Sequence, residues 1–342
     1  MLPFTLIIPT KNRDQYLNNL LFYYSINSIK FKILILDSST GKFKKKNKNI
    51  VKNFKNLKIT HKFIKGKSHE VVKKNIKIVD SKYCCLSGDD DYLFTKNIQK
   101  FISFLENNKS FVGAGGISYF TKPYKDTFSF KSYSSTNLIN NDAFTRCKNH
   151  IFYYTNPHYS ICKTSAFSKA INLINKSKYP HDILNDELVL NFSLVCFGKF
   201  KNLNKTHLFR LIGHEKNNLS KNKNINLLNY SKNNIIFELK KLIQKQDNTV
   251  YKNFEKEFTS LVDKKVSIRG LNFNYIKLYF LRYNFKESRI FYYLKKILFF
   301  LNDSKINKNL YYLNYNQIIK NRNISNDIKI FTRNFILSKN KY

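Results

Sequence analysis

Gly88-Asp89-Asp90-Asp91 places three carboxylates in succession directly after the apolar run Tyr83-Cys84-Cys85-Leu86. Like charges held so close repel one another, so folding alone gives no reason to collect them at the end of a buried strand. A hard divalent cation does give a reason, because Mg²⁺ or Mn²⁺ takes oxygen ligands and bridges carboxylates to phosphate oxygens. Gly88 supplies the freedom to turn the chain and bring backbone close to a ligand. Asp89, Asp90 and Asp91 are therefore candidate metal ligands, with a solvated acidic turn or a helix cap as the alternative. Two further polar clusters have the same placement after an apolar run: Pro9-Thr10-Lys11-Asn12-Arg13 and Asp37-Ser38-Ser39.

The elements that must position these residues follow from hydrophobic patterning. Phe4 to Ile8 and Phe31 to Leu36 are short apolar runs of the buried-strand type, as is Tyr83 to Leu86, and Leu57 to Phe63 is expected as a further strand. Between them lie amphipathic helices, one after Asp14 with Leu17, Leu20, Leu21 and Tyr24 on its apolar stripe and one from Ser68 to Val79. Lys42 to Lys55 is a charged connection or helix. Strands alternating with helices predict a mainly parallel sheet wound on both faces, whose ligands bind beyond the carboxyl ends of the strands. All three polar clusters fall there. Farther on, Phe111 to Phe120 reads as a strand whose glycines imply close backbone approach, and Lys122 to Asn149 as a loop or hairpin insertion. Ala166 to Ile174 and Asp186 to Phe197 are expected helices, and the stretch from Asn217 a helical region with basic amphipathic faces.

Composition narrows the class. With 342 residues, 42% hydrophobic and 16% aromatic, the chain can bury a sizeable core. The net charge of +39 attracts anionic surfaces. Its lysines, however, are spread throughout, with one dense run from Lys42 to Lys48 and no nucleic-acid-binding fingerprint, so nucleic acid is not expected as a partner. No apolar stretch is long enough to span a bilayer, and Leu2-Pro3-Phe4 enters a strand without a leader-like pattern, which predicts a cytoplasmic protein. Five cysteines without C-x-x-C spacing fit reduced, buried thiols.

"LIIPTKNR" at Leu6 to Arg13, "ILILDSS" at Ile33 to Ser39, "KKN" at Lys73 to Asn75 and "YCCLSGDDD" at Tyr83 to Asp91 together resemble GT-A-fold glycosyltransferases in order and spacing. The likeness is to family-two-like bacterial enzymes of surface polysaccharide synthesis, in a subgroup whose acidic motif reads G-D-D-D, and it covers about the first 100 residues well. It implies a GT-A, Rossmann-like, mostly parallel α/β sheet with a helical C-terminal extension. Residues 1–110 would be the nucleotide-sugar-binding half, 111–216 the acceptor-binding half and 217–342 the basic helical region. Pro9, Thr10 and Arg13 would line the nucleotide pocket, with Asp37 on the base or ribose. Lys74 and Asn75 stand where the family has an Arg-Asn pair, and lysine there loses the bidentate fork. Gly88 and Asp89 would also face the donor. Asp89 to Asp91 take the place of the D-x-D motif; alignment by the preceding strand selects Asp90 as metal ligand, whereas a literal D-x-D selects Asp89 and Asp91.

The resemblance further implies an inverting transfer whose general base opens a late helix. Asp186 and Glu187 fit that position, with the alternative that Asp186 simply caps the helix, and Asp182 is a lesser candidate. His214 resembles a late histidine that joins the metal or diphosphate, Arg210 is a candidate phosphate partner, and His158 is a weaker candidate. The expected partners are a nucleotide-sugar donor, a UDP-sugar above others, and a glycan or lipid-linked acceptor, with Mg²⁺ or Mn²⁺ as cofactor. Arg282 to Leu301, basic and aromatic, would allow peripheral contact with an anionic membrane at its inner face. Nucleotidyl transfer and a non-catalytic basic scaffold are the competing readings.

Overall fold

The computed structural model describes residues 1–124, 127–134, 137–152, 156–174, 183–212, 310–322 and 324–340. Four parallel strands form its first half: β1 (Phe4–Thr10), β2 (Lys32–Asp37), β3 (Lys58–Phe63) and β4 (Tyr83–Leu86), in the spatial order β4-β1-β2-β3. Helices α1 (Asp14–Ile26), α2 (Gly41–Asn53) and α3 (Ser68–Asn75) make the crossovers. The α3 helix tightens into a 3-10 turn at Ile76–Ile78, short of the helix expected through Val79. Successive strand residues point to opposite faces, and here both faces are covered, so β1 and β2 are apolar almost throughout. Phe4, Leu6, Ile8, Ile33 and Ile35 enter one core, and Ile7, Leu34 and Leu36 enter the other.

Past the short β5 (Asp91–Leu93) and α4 (Ile98–Asn107), the sheet continues with mixed polarity. A hairpin of β6 (Phe111–Tyr124) and β7 (Thr127–Ser134) accounts for the first part of the expected insertion. Its second part holds a helix, α5 (Ala143–Phe152), which the loop-rich composition had concealed. Then come β8 (Ile161–Lys163), α6 (Thr164–Ile171), α7 (Ile183–Phe197) and β9 (Lys199–Leu211). Strand β9 lies parallel to β6 and antiparallel to β5. The close approach expected of the β6 glycines is present: a Cβ on Gly116 would lie 1.9 Å from the Lys205 carbonyl oxygen.

The described C-terminal residues form β10 (Leu310–Asn314), α8 (Tyr315–Lys320) and α9 (Asn326–Asn340). Strand β10 pairs with β7 in a stretch expected to be wholly helical. Helix α9 covers the core on the α1 side, where Phe331 stacks on Phe209 with centroids 3.9 Å apart. Arg282 to Leu301 and most of 217–342 lie outside the described residues, as do His214 and Asp182. Among the described residues, no helix is long and apolar enough to cross a membrane.

Candidate active site

Register brings the polar clusters together. Thr10 at the end of β1 is the Cα partner of Asp37 at the end of β2, and Ile7 pairs with Leu86, so the acidic turn after β4 emerges beside them. The backbone stays ordered across this edge: Ser38 N donates to Thr10 O at 2.9 Å and Ser87 N to Ile7 O at 3.0 Å.

Asp37 is buried in a cage of donors. Its Oδ1 accepts from Ser39 N at 2.8 Å, and its Oδ2 from Asn47 Nδ2 at 2.9 Å and His61 Nε2 at 3.1 Å. Burial alone would raise this carboxyl's pKa; the hydrogen bonds from His61, Ser39 and Asn47 outweigh it and hold the group below its ordinary value. Ser39 Oγ in turn accepts from Asn12 N at 2.7 Å and Asn47 Nδ2 at 3.1 Å. Asn12, with φ 55°, bends the loop so that its side chain also reaches Thr40 N at 2.9 Å.

The acidic turn is organised by two arginines. Arg13 Nη1 meets Asp89 Oδ1 at 2.5 Å and Arg13 Nη2 meets Asp90 Oδ2 at 2.6 Å, while Thr10 Oγ1 donates to Asp89 Oδ2 at 2.6 Å. The Tyr16 ring supports the guanidinium, 4.1 Å from its carbon. On the other side Arg210, which pairs in register with Asp91, sends Nε to Asp91 Oδ1 at 3.3 Å and Nη2 to the Tyr159 hydroxyl at 3.0 Å. Tyr159 completes the arrangement with its ring 4.4 Å beneath the Arg210 guanidinium. Asp89 is 2% exposed and its pKa is raised to about 7, first by burial and then by Asp90 and Asp91, against the lowering influence of Arg13 and Thr10. Burial likewise raises Asp91, with Arg210 opposing. Asp90 is the one acid of the three with substantial exposure, at 23%.

The fold adds two features to this turn. The mutual repulsion of the triplet is partly offset by Arg13, which Asp89 and Asp90 share, and by Arg210, to which Asp91 turns. Among the described residues, no three His, Cys, Asp or Glu side chains form a ready-made metal cage. Gly88 also lies outside the left-handed region; it matters because a Cβ would sit 2.9 Å from Asp90 Oδ1 and 3.2 Å from Asp91 Oδ2.

Of the remaining predicted residues, Pro9 lies in β1 at the same edge. Asn75 is buried and donates to Val71 O at 2.8 Å within its own helix, and Lys74 pairs with Glu70 at 2.6 Å. Asp186 does not cap its helix: α7 starts at Ile183, which puts Asp186, buried, inside the first turn. Next to it Glu187 is half-buried; burial is the main influence on the Arg210, Tyr159 and His69 pKa values, and the charge of Glu187 is a lesser one on each. His158 is buried with Nδ1 2.8 Å from Asn191 Oδ1, and burial takes its pKa to about 3, so it is neutral near pH 7. Sequence reasoning missed Tyr159, Asn47 and His61. Tyr159 adjoins the singled-out His158, but nothing in the pattern ties Asn47 on a lysine-rich helix to Asp37.

Residues 5–171 match the family model described as Glycosyl transferase family 2, just under half of the chain. No curated protein matches the chain. Among solved structures, the S. aureus TarS 1-349 structure is 17% identical with a TM-score of 0.43, covering 62% of this chain and 60% of that one. A longer S. aureus TarS structure is 16% identical with a TM-score of 0.43, covering 70% of this chain and 43% of that one. The complex of TarS 1-349 with UDP-GlcNAc is 15% identical with a TM-score of 0.47, covering 75% of this chain and 73% of that one.

Proposed function

From residues 5–171 as a glycosyl transferase family 2 domain, we propose that this chain transfers a sugar from a nucleotide-sugar donor, a UDP-sugar above others, with inversion. The observation that carries the reading is the meeting of two polar clusters at one sheet edge. The Asp37 hub, which fixes Ser39, Asn47 and His61 beside α2, suits positioning of a base or ribose, and the adjoining Asp89–Asp91 turn between Arg13 and Arg210 suits a diphosphate.

The donor set fits Mg²⁺ or Mn²⁺ in one mode. These ions are held by one or two carboxylates completed by substrate phosphate oxygens and water, and the exposed Asp90 supports that role better than Asp89 or Asp91, which are buried against Thr10, the arginines and Tyr159. A bound cation would neutralise charge on the departing diphosphate. In the proposed reaction Asp186 takes the proton from the acceptor hydroxyl as that oxygen bonds to the anomeric carbon and the bond to the nucleoside diphosphate breaks. Glu187 keeps the charge balance with Arg210. Arg13 and Arg210 hold the turn and face the phosphates. The acceptor is proposed to be a glycan or lipid-linked glycan of bacterial surface polysaccharide, reached from the cytoplasmic side with peripheral membrane contact.

The test is donor turnover by the purified chain with UDP-sugars and Mn²⁺. Release of UDP without pyrophosphate supports glycosyl transfer. In a parallel assay with UTP and a sugar 1-phosphate, pyrophosphate release points to nucleotidyl transfer, and absence of turnover in both assays with every acceptor points to a binding protein. In Asp186→Asn we expect donor binding to persist while transfer falls about a hundredfold or more, the usual contribution of a general base; unchanged transfer moves the base elsewhere.

A further inference from the structure

Arg13 lies at the N-terminal cap of α1, where its planar fork takes one oxygen from each of two successive acids, Asp89 Oδ1 at 2.5 Å and Asp90 Oδ2 at 2.6 Å. The two acids stand in unlike positions. Asp89 is sealed and also held by Thr10 Oγ1, so its link to Arg13 is part of the packed structure. Asp90 is partly exposed, and Arg13 is its ion-pair partner. Asp91 has a separate partner in Arg210. We propose that Arg13 is a positioning residue, an internal cation of the acidic turn that competes with a divalent metal ion for Asp90. This rests on the reading of Asp90 as the metal anchor.

The physical argument is charge and geometry. A divalent ion on Asp90 and a guanidinium nitrogen on the same carboxylate repel each other within a few ångströms, where Coulomb energies are largest. The fork makes partial release straightforward: Nη2 leaves Asp90 while Nη1 stays on Asp89, so Asp89 keeps its cation. The Tyr16 ring, 4.1 Å away, still holds the guanidinium plane. A released Nη2 is then free to donate to a phosphate oxygen of the donor, the partner that guanidinium groups favour. Arg13 thereby holds the turn together before metal arrives and resists metal that arrives without a diphosphate.

The experiment is a Mn²⁺ titration of the full chain without nucleotide, read by the electron paramagnetic resonance signal of the free ion. R13K is the informative variant, since lysine keeps the charge but, as a single-point donor, cannot span both acids. We expect R13K to bind Mn²⁺ about fivefold more tightly than wild type, which corresponds to about 1 kcal/mol. R13Q, which also removes the charge, should bind more tightly still. Thermal melts identify any variant that has lost its fold, and R13K provides the reading if R13Q does not fold. Unchanged or weaker Mn²⁺ binding in folded R13K overturns the proposal. D90N separates the two levels: if it binds Mn²⁺ as wild type does, the reading of Asp90 as anchor fails. If D90N loses the ion while R13K and R13Q match wild type, competition alone fails.

Discussion

Asp37 and Asp89 are both carboxylates at the carboxyl end of a parallel strand, within one site, yet the protein stabilises them in opposite ways. Asp37 is surrounded by Ser39 N, Asn47 and His61, and its pKa is lowered. Asp89 is sealed beside two other acids, and although Arg13 and Thr10 reach it, its pKa is raised to about 7. The first is an acceptor already satisfied by the fold, and it fixes the side chains around it. The second belongs to a cluster with more negative charge than its surroundings readily accommodate, so an added cation gains by entering. This contrast separates recognition from charge handling: the hub sets what fits, and the turn sets what a cation and diphosphate contribute.

The largest expected effect breaks the charge-handling side. Asp90→Asn removes the exposed carboxylate while leaving Asp89 with Thr10 and Arg13 and Asp91 with Arg210. Donor turnover with Mn²⁺ should fall about a hundredfold to a thousandfold, the range for loss of a preorganised electrostatic group, while the melting temperature stays near that of wild type. Activity close to wild type would remove Asp90 from the proposed chemistry.

Asp37→Asn breaks the recognition side, with a smaller effect on rate and a larger one on the fold. An amide in that cage sets a donor against the donors of Asn47 or His61 and leaves buried groups unpaired, at a cost of about 2 kcal/mol. Chemical denaturation should report that loss, and donor KM should rise more than kcat falls. If instead kcat alone falls, the hub takes part in charge handling and the contrast is lost.

Much of this site was legible in sequence because local rules decide its parts. Apolar runs broken by polar clusters locate strand ends, and a parallel sheet must align those ends, so Thr10, Asp37 and Asp89 converge as the pattern requires. Partners supplied by distant segments were not legible. Arg210 comes from β9, and its pairing with Asp91 depends on a strand register across more than a hundred residues. Asn47 lies on a helix whose many lysines mask the one buried polar position. The sequence displays the charges of Asp89 to Asp91 side by side, while the arginines that partly offset them become neighbours only in the fold. Helix α5 and strand β10 were hidden for a similar reason: their stability comes from packing and pairing in the second half, with little local periodicity to announce them.

The smallest effect is the most specific to the contrast, because the two acids respond to pH with opposite sign. A carboxyl whose folded pKa is lowered contributes stability above its unfolded pKa of 3.8, and loses it as pH falls through the folded value; this is Asp37. A carboxyl whose folded pKa is raised contributes stability that is complete below 3.8 and is lost as pH rises through the folded value, here about 7; this is Asp89. In metal-free buffer, Asp89 should therefore take away about 1 kcal/mol of wild-type stability between pH 6 and 8. Asp89→Asn has no such proton to lose, so its stability should be flatter over that interval. The buried histidines His69, His158 and His207, whose pKa values burial depresses to about 4, 3 and 4, work on the acid side instead. They are common to both proteins, and taking the difference between wild type and variant at each pH cancels them to the extent that the sites are independent. Parallel profiles for the two proteins from pH 6 to 8 would mean that Arg13 fully compensates Asp89, and the turn would then be as settled as the hub.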